Sequence, residues 1–188
     1  MKIPIVIALV TGLAALWTGR SFTGLSTLRL RHSWIIFVAL GVQVFFVAFP
    51  PSWLTPSSAT PIFVLTLAAP ALFLAMNRQV AGMLVVAIGL TLNCLVILAN
   101  GAMPVSSSAA RVAGAELLTD TRHVEHGTHL RNETMTEETV LPILGDVIPM
   151  PGMKLVASPG DLILAAGLVQ LVWSRTTKRS GRAEALAV

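Results

Sequence analysis

Charged side chains are scarce in this sequence: 12% of its 188 residues are Asp, Glu, Lys or Arg, against 54% hydrophobic. Soluble domains of ordinary composition carry about 25% charge, and half that share is too little to cover a folded surface with polar groups. A typical water-soluble globule is thereby excluded. So is a disordered chain, which needs low hydrophobicity and high charge. Tyrosine is absent, and the single cysteine, Cys94, cannot form an internal disulfide. Internal repeats and low-complexity tracts are lacking too. What the chain has in excess is apolar residues, with a mean hydropathy of +0.77. That points to an integral membrane protein, and the length points to one domain over residues 1–188.

Five apolar stretches stand out, at about residues 3–18, 33–49, 61–77, 80–99 and 159–174. A bilayer core of about 30 Å needs ~20 helical residues. The fourth stretch reaches that unaided; the others draw on flanking residues such as Thr18, Ser33 and Asn77. The last is lengthened by Ser158-Pro159-Gly160-Asp161, which reads as an N-cap, a proline at N1 and an acid at N3. Helices are expected in all five, because lone strands leave backbone groups unsatisfied in lipid. The expectation is an all-α polytopic membrane protein with five transmembrane helices and one outer polar segment, 101–158, between helices 4 and 5.

Basic residues orient these spans. Arg20, Arg29 and Arg31 follow the first, Arg78 follows the third, and Arg175, Lys178, Arg179 and Arg182 lie in the tail 175–188. The loop after the second span carries no charge. By the positive-inside rule the tail is cytoplasmic and the N-terminus outside. A cleaved signal peptide over residues 1–19 is the rival reading, but it would place the first three arginines outside, and no A-x-A-like site follows the apolar run. The sequence pI near 10.2 therefore reflects topology and headgroup contacts. Nucleic acid is not expected as a partner, since no basic groove with interleaved aromatics accompanies the arginines.

The segment 101–158 carries four basic residues against seven acids, the bias expected outside. Residues 106–118 suit a short amphipathic helix, and Thr134 with Glu137 suits a capped turn leading into Val140 and Leu141. Pro142, Pro149, Pro151 and Pro159 forbid a long helix. So polar a segment makes a poor core of its own, and it is expected to pack on the outer helix ends or lie along the headgroups.

Three constellations are candidates for chemistry. Asn100-Gly101-Ala102-Met103-Pro104 reads first as a helix stop with a left-handed cap; the functional alternative puts the Asn100 amide in a polar binding pocket. Asp146 and Asp161 each follow a glycine, and paired carboxylates could share a proton and activate water. Gly-Asp ahead of an apolar helix is similar to the acid-bearing helix of signal peptidase II, whose other asparagine and aspartate motifs this chain lacks. Asp161 also has a structural account as a helix-capping acid. His123, His126 and His129 are weak metal candidates: two share a helix face, but the third rotates away. No cofactor is expected. The apolar stretches hold no ionisable group, which disfavours coupled transport. Gln43 and Asn93 are read as interhelical hydrogen-bond partners, and Gly82 and Gly89, seven apart, as a face for close helix approach.

Several stretches together carry a resemblance: Gly19-Arg20 through Leu28-Arg29-Leu30-Arg31, Gln43, Leu92-Asn93 to Asn100-Gly101-Ala102-Met103-Pro104-Val105, Gly145-Asp146-Val147-Ile148-Pro149 and Ser158-Pro159-Gly160-Asp161. The chain resembles a group of small bacterial polytopic membrane proteins classed as a domain of unknown function. That resemblance implies a bacterial inner-membrane protein and assigns no activity. The expected work is structural or partner-binding, with the lipid bilayer and a membrane protein as partners. A membrane-surface hydrolase using Asp146 and Asp161, or a carrier for a small neutral molecule, are the alternatives.

Overall fold

The computed structural model describes residues 2–26, 28–49, 51, 56–115 and 132–178. Long helices form at each of the five apolar stretches: α1 (Lys2–Trp17), α3 (Trp34–Ala48), α4 (Pro56–Met76), α5 (Met83–Asn100) and α7 (Pro159–Arg175). They pack in the order α3, α4, α5, α7, α1. Two short helices, α2 (Thr23–Ser26) and α6 (Ser107–Ala113), lie between them. The core sits where α4, α5 and α7 meet and includes Ala71, Val86, Leu90, Val96 and Leu164.

The expected all-α, five-span architecture does not hold, for two reasons. Among the described residues only α5 is both long and apolar enough to cross a membrane; Val6–Trp17, Trp34–Phe46 and Val64–Met76 are apolar but shorter. At 1.5 Å per residue the shorter runs reach about 20 Å against a core of about 30 Å. Thr18 and Asn77, which would have lengthened two of the spans, sit in turns beyond the helix ends. Apolar composition was a guide to where helices form but not to how far they run.

The second reason is β-structure. Strand β1 (Arg20–Ser21) pairs antiparallel with β6 (Thr177–Lys178), tying the segment after α1 to the end of α7. Within 101–158, β2 (Met103–Val105) pairs parallel with β3 (Asn132–Thr134), and β4 (Ile148–Met150) pairs antiparallel with β5 (Leu155–Ala157). Two 3-10 turns, Pro142–Leu144 and Pro151–Met153, complete the region. Thr134, expected to cap a helical turn, instead ends a strand. These paired strands and α6 form a small cap, with β2 and the first 3-10 turn packed on the ends of α5 and α7.

Local sequence explains the helix boundaries. Gly101 adopts φ 83°, a left-handed C-cap that its missing Cβ permits, and its N–H bonds to the Ile97 carbonyl. Ser106 caps α6 and Ser158 caps α7, each accepting from the backbone N–H three residues on.

The α5–α7 contact is antiparallel and unusually close. A Cβ added at Gly89 would meet the Gly160 carbonyl oxygen at 2.5 Å and the Leu164 nitrogen at 2.6 Å, and one added at Gly160 would run into Asn93 Oδ1. The expected glycine face on α5 is therefore the seam with α7. Gly160→Ala is expected to lower stability by about 1–3 kcal/mol through overpacking. Gly41→Ala, with nothing within 4 Å of the new methyl, should be neutral or up to about 1 kcal/mol stabilising from helix propensity. Denaturant unfolding of the two purified variants checks the contrast.

Candidate functional site

A buried polar knot lies on the α5–α7 seam. Ser158 Oγ donates to Asn93 Oδ1 at 3.0 Å, Asn93 Nδ2 donates to Asp161 Oδ1 at 3.0 Å, and the Asp161 backbone N–H donates to Ser158 Oγ at 3.0 Å. The three bonds close a ring in which each donor and acceptor has one role. The serine lone pair is taken by the backbone N–H, so its proton points at the amide oxygen. The amide then turns its NH₂ toward the carboxylate, which accepts. All three residues are buried. Asp161 thus does not cap α7 with its own side chain; Ser158 does, and the Asp161 carboxyl reaches across to α5.

Asp146 sits beside this knot in the cap. Its N–H donates to the Pro104 carbonyl at 2.8 Å, and its carbonyl accepts from Ser106 N at 2.9 Å, extending the edge of β2 through a bridge to Val105. The side chain is 9% exposed. Burial, and after it the neighbouring Asp161 carboxylate, pushes the Asp146 carboxyl up from 3.8 to about 7. The two aspartates are electrostatic neighbours, and no direct hydrogen bond joins them. Asp146 lines a cavity of about 170 Å³ with Val105, Ala110, Glu133, Lys154 and Val156. Asp161 is not among its described lining residues.

Asn100 is used as a clamp. Its Nδ2 donates to the Val96 carbonyl at 2.9 Å and to the Val140 carbonyl at 2.8 Å, and its Oδ1 accepts from Val140 N at 2.8 Å. Asn77, which sequence reasoning passed over as a flanking residue, makes the same arrangement at the other end. Its Nδ2 donates to Phe73 O at 2.8 Å and Arg31 O at 3.0 Å, while Oδ1 accepts from Arg31 N at 2.8 Å. The recurring signal is an asparagine at a helix C-terminus, four residues past a carbonyl that its amide can reach. Arg20 also has a structural partner set: Nε donates to Thr176 Oγ1 at 2.8 Å, Nη2 to the Trp173 carbonyl at 3.0 Å and to the Thr176 carbonyl, and the guanidinium lies 4.5 Å from the Trp173 ring centroid. His123, His126 and His129 lie outside the described residues. Among the described residues no three His, Cys, Asp or Glu converge to hold a metal.

Two measurements test this reading. Ser158→Ala removes the α7 cap and leaves the Asn93 amide oxygen unbonded, with an expected loss of about 1–3 kcal/mol. Asp146 makes stability depend on pH with a definite sign. Its folded-state pKa lies above its ordinary value, so between about 4 and about 7 the folded chain holds a proton that the unfolded chain has released. Its contribution is therefore intact below pH 4 and falls as pH rises toward 7. Asp146→Asn should remove that part of the slope in unfolding experiments across this range, and should leave the protein more stable than the parent at pH 8.

The glycine-lined seam and the asparagine clamps lie within the stretch that a family model matches. Neither a curated protein nor a solved structure matches the chain. Residues 27–173 match the model of DUF5317, a family of unknown function, and cover most of the chain; the chain belongs to that family.

Proposed function

We propose that this chain is a membrane-embedded protein of the bacterial inner membrane, with a structural or binding role carried by the cap over 101–158. The observation that supports it is the distribution of polarity on the helices. Leu13, Phe37, Phe45, Leu65, Leu72 and Leu98 point outward and are each more than half exposed, while Asn77, Asn93, Ser158, Asp161 and Thr176 are buried. Water-soluble monomers rarely expose contiguous apolar patches beyond a few hundred Å². Lipid is the solvent in which this arrangement is stable, because the inward polar groups are hydrogen-bonded within the protein and the outward groups meet acyl chains.

Orientation follows from the ends. Arg20 is bonded to the end of α7, and the Arg31 backbone is bonded to Asn77 after α4. Arg20, Arg31, Arg78 and Arg175 therefore gather at one end, opposite the acidic cap. On the positive-inside rule that end is cytoplasmic and the cap faces out.

A membrane-surface hydrolase using Asp146 and Asp161 draws less support. Such a dyad needs both carboxyls on one cavity, whereas Asp161 is engaged by Asn93 and only Asp146 lines the space. Fractionation of expressing cells tests the leading reading. The protein should stay in membranes through an alkaline carbonate wash and leave them only with detergent; release by carbonate would sink the embedded reading. In a Cys94→Ser background, Ser108→Cys should react with an impermeant maleimide added outside spheroplasts, and labelling only after lysis would reverse the orientation.

A further inference from the structure

The cap cavity holds a carboxyl with no side-chain hydrogen bond among the described residues. Asn77, Asn93, Ser158, Asp161 and Thr176, also buried, each make at least one side-chain hydrogen bond. The Asp146 carboxyl, at 9% exposure, makes none among the described residues. No polar side-chain atom sealed from solvent lacks a partner there. The free Asp146 oxygens therefore reach open space, and the cavity of about 170 Å³ that they line is that space.

We infer that this cavity binds a small zwitterion, its primary ammonium on Asp146 and its anionic group on Lys154. The lining carries the argument. Asp146 and Glu133 bring negative charge to the lining, the adjacent strand residues Asn132 and Thr134 bring further polar groups, and Lys154 stands as the one cation among the described lining residues. A bare anion would meet two carboxyls. A bare divalent cation would find too few ligands, since no three His, Cys, Asp or Glu converge among the described residues. An ammonium offers N–H donors to an acceptor-only carboxylate, and charge-assisted bonds of that kind are the strong ones. A negative group on the same molecule is what Lys154 can answer. The aliphatic side chains of Val105, Ala110, Leu155 and Val156 accommodate the carbons between. The charges acting on Asp146 are Asp161 from α7, which raises its proton affinity, and the N-terminal ammonium, which lowers it; Glu133 from β3 and Lys154 from the β4–β5 turn line the same cavity. Ligand binding should accordingly favour the ionised form of Asp146 and offset its burial.

Free phosphoethanolamine and the headgroup of phosphatidylethanolamine share this chemistry, and two arms distinguish them. The inference does not depend on the membrane reading, because the free-ligand arm tests it in either case. In the first arm, full-length protein in detergent is titrated by calorimetry with phosphoethanolamine and with phosphocholine, whose quaternary nitrogen has no N–H. In the second, a hydrophobic carbodiimide labels Asp146 in protein reconstituted in phosphatidylcholine vesicles with or without phosphatidylethanolamine, read by peptide mass.

Phosphoethanolamine is expected to bind at least tenfold more tightly than phosphocholine, and Asp146→Asn to weaken it at least tenfold. Lys154→Gln should weaken phosphoethanolamine but leave ethanolamine unchanged. If only the phosphatidylethanolamine vesicles protect Asp146 from label, the source is the lipid headgroup; if the free molecule also binds, it is soluble. Equal binding of the two free headgroups, unchanged affinity in Asp146→Asn, or neither binding nor protection in either arm overturns the inference. A cooperative unfolding transition for Asp146→Asn at pH 7 separates lost binding from lost fold.

Discussion

The α5–α7 seam depends on one side chain, the Asn93 amide. A buried amide without partners would be destabilising by about 1–3 kcal/mol, so the helices must meet in the one register that satisfies it. That register puts Ser158 Oγ on the amide oxygen and Asp161 Oδ1 on the amide nitrogen. Gly89 and Gly160 are what allow the backbones to come close enough, because a methyl at either would collide with the opposite helix. Apolar packing supplies most of the attraction between the helices but is indifferent to small rotations. The hydrogen-bonded ring is directional and therefore selects one of them.

Two further amides carry this logic to the ends of the bundle. Asn77 and Asn100 each finish a helix, each bonds the carbonyl four residues back, and each reads both backbone groups of a residue some forty positions away. An amide side chain mimics a peptide unit, so it can replace a missing strand partner where the chain turns. At one end this fixes the Arg31 backbone against α4. At the other it fixes Val140, and with it the cap, against α5. Arg20 adds a third tie by spanning from the start of β1 to the carbonyls that end α7, where a cation is also favoured by the helix dipole.

What was legible in the sequence was local. Apolar runs located the five long helices, Ser158 and Gly101 marked a start and a stop, and Gly82 with Gly89 marked a packing face. Each depends on residues within one or two turns of each other. Helix lengths were less legible: α1 stops locally, with Thr18 bonded back to Ala14 and Ala15 and Gly19 at φ 70°, whereas Asn77 is held in a turn by its bonds to Arg31, 46 positions away. The strands of the cap were not legible at all: three-residue strands are too short to show alternation, and β2 finds its partner β3 well down the chain. The tie between Asn93 and Asp161 crosses 68 positions. Asp161 looked like a cap because its position relative to Ser158 is that of a cap, while its carboxylate is recruited by a residue on another helix.

Asp146 differs from these groups in how it is held. Its N–H is committed to Pro104 in β2 and its carbonyl to Ser106 just beyond that strand. The backbone therefore cannot swing the carboxyl into solvent without breaking two bonds and the bridge to Val105. An ordinary surface aspartate relieves an unfavourable environment by changing rotamer or by local fraying. Here the cap takes away much of that freedom, and the carboxyl stays at the cavity wall near Asp161, with a raised proton affinity as the result. A group constrained in this way is preorganised: a cationic partner entering the cavity would not have to order it first, so little of the interaction would be lost to side-chain entropy. The same two backbone bonds that complete the edge of β2 thus fix the position of the one buried carboxyl that has no protein partner among the described residues.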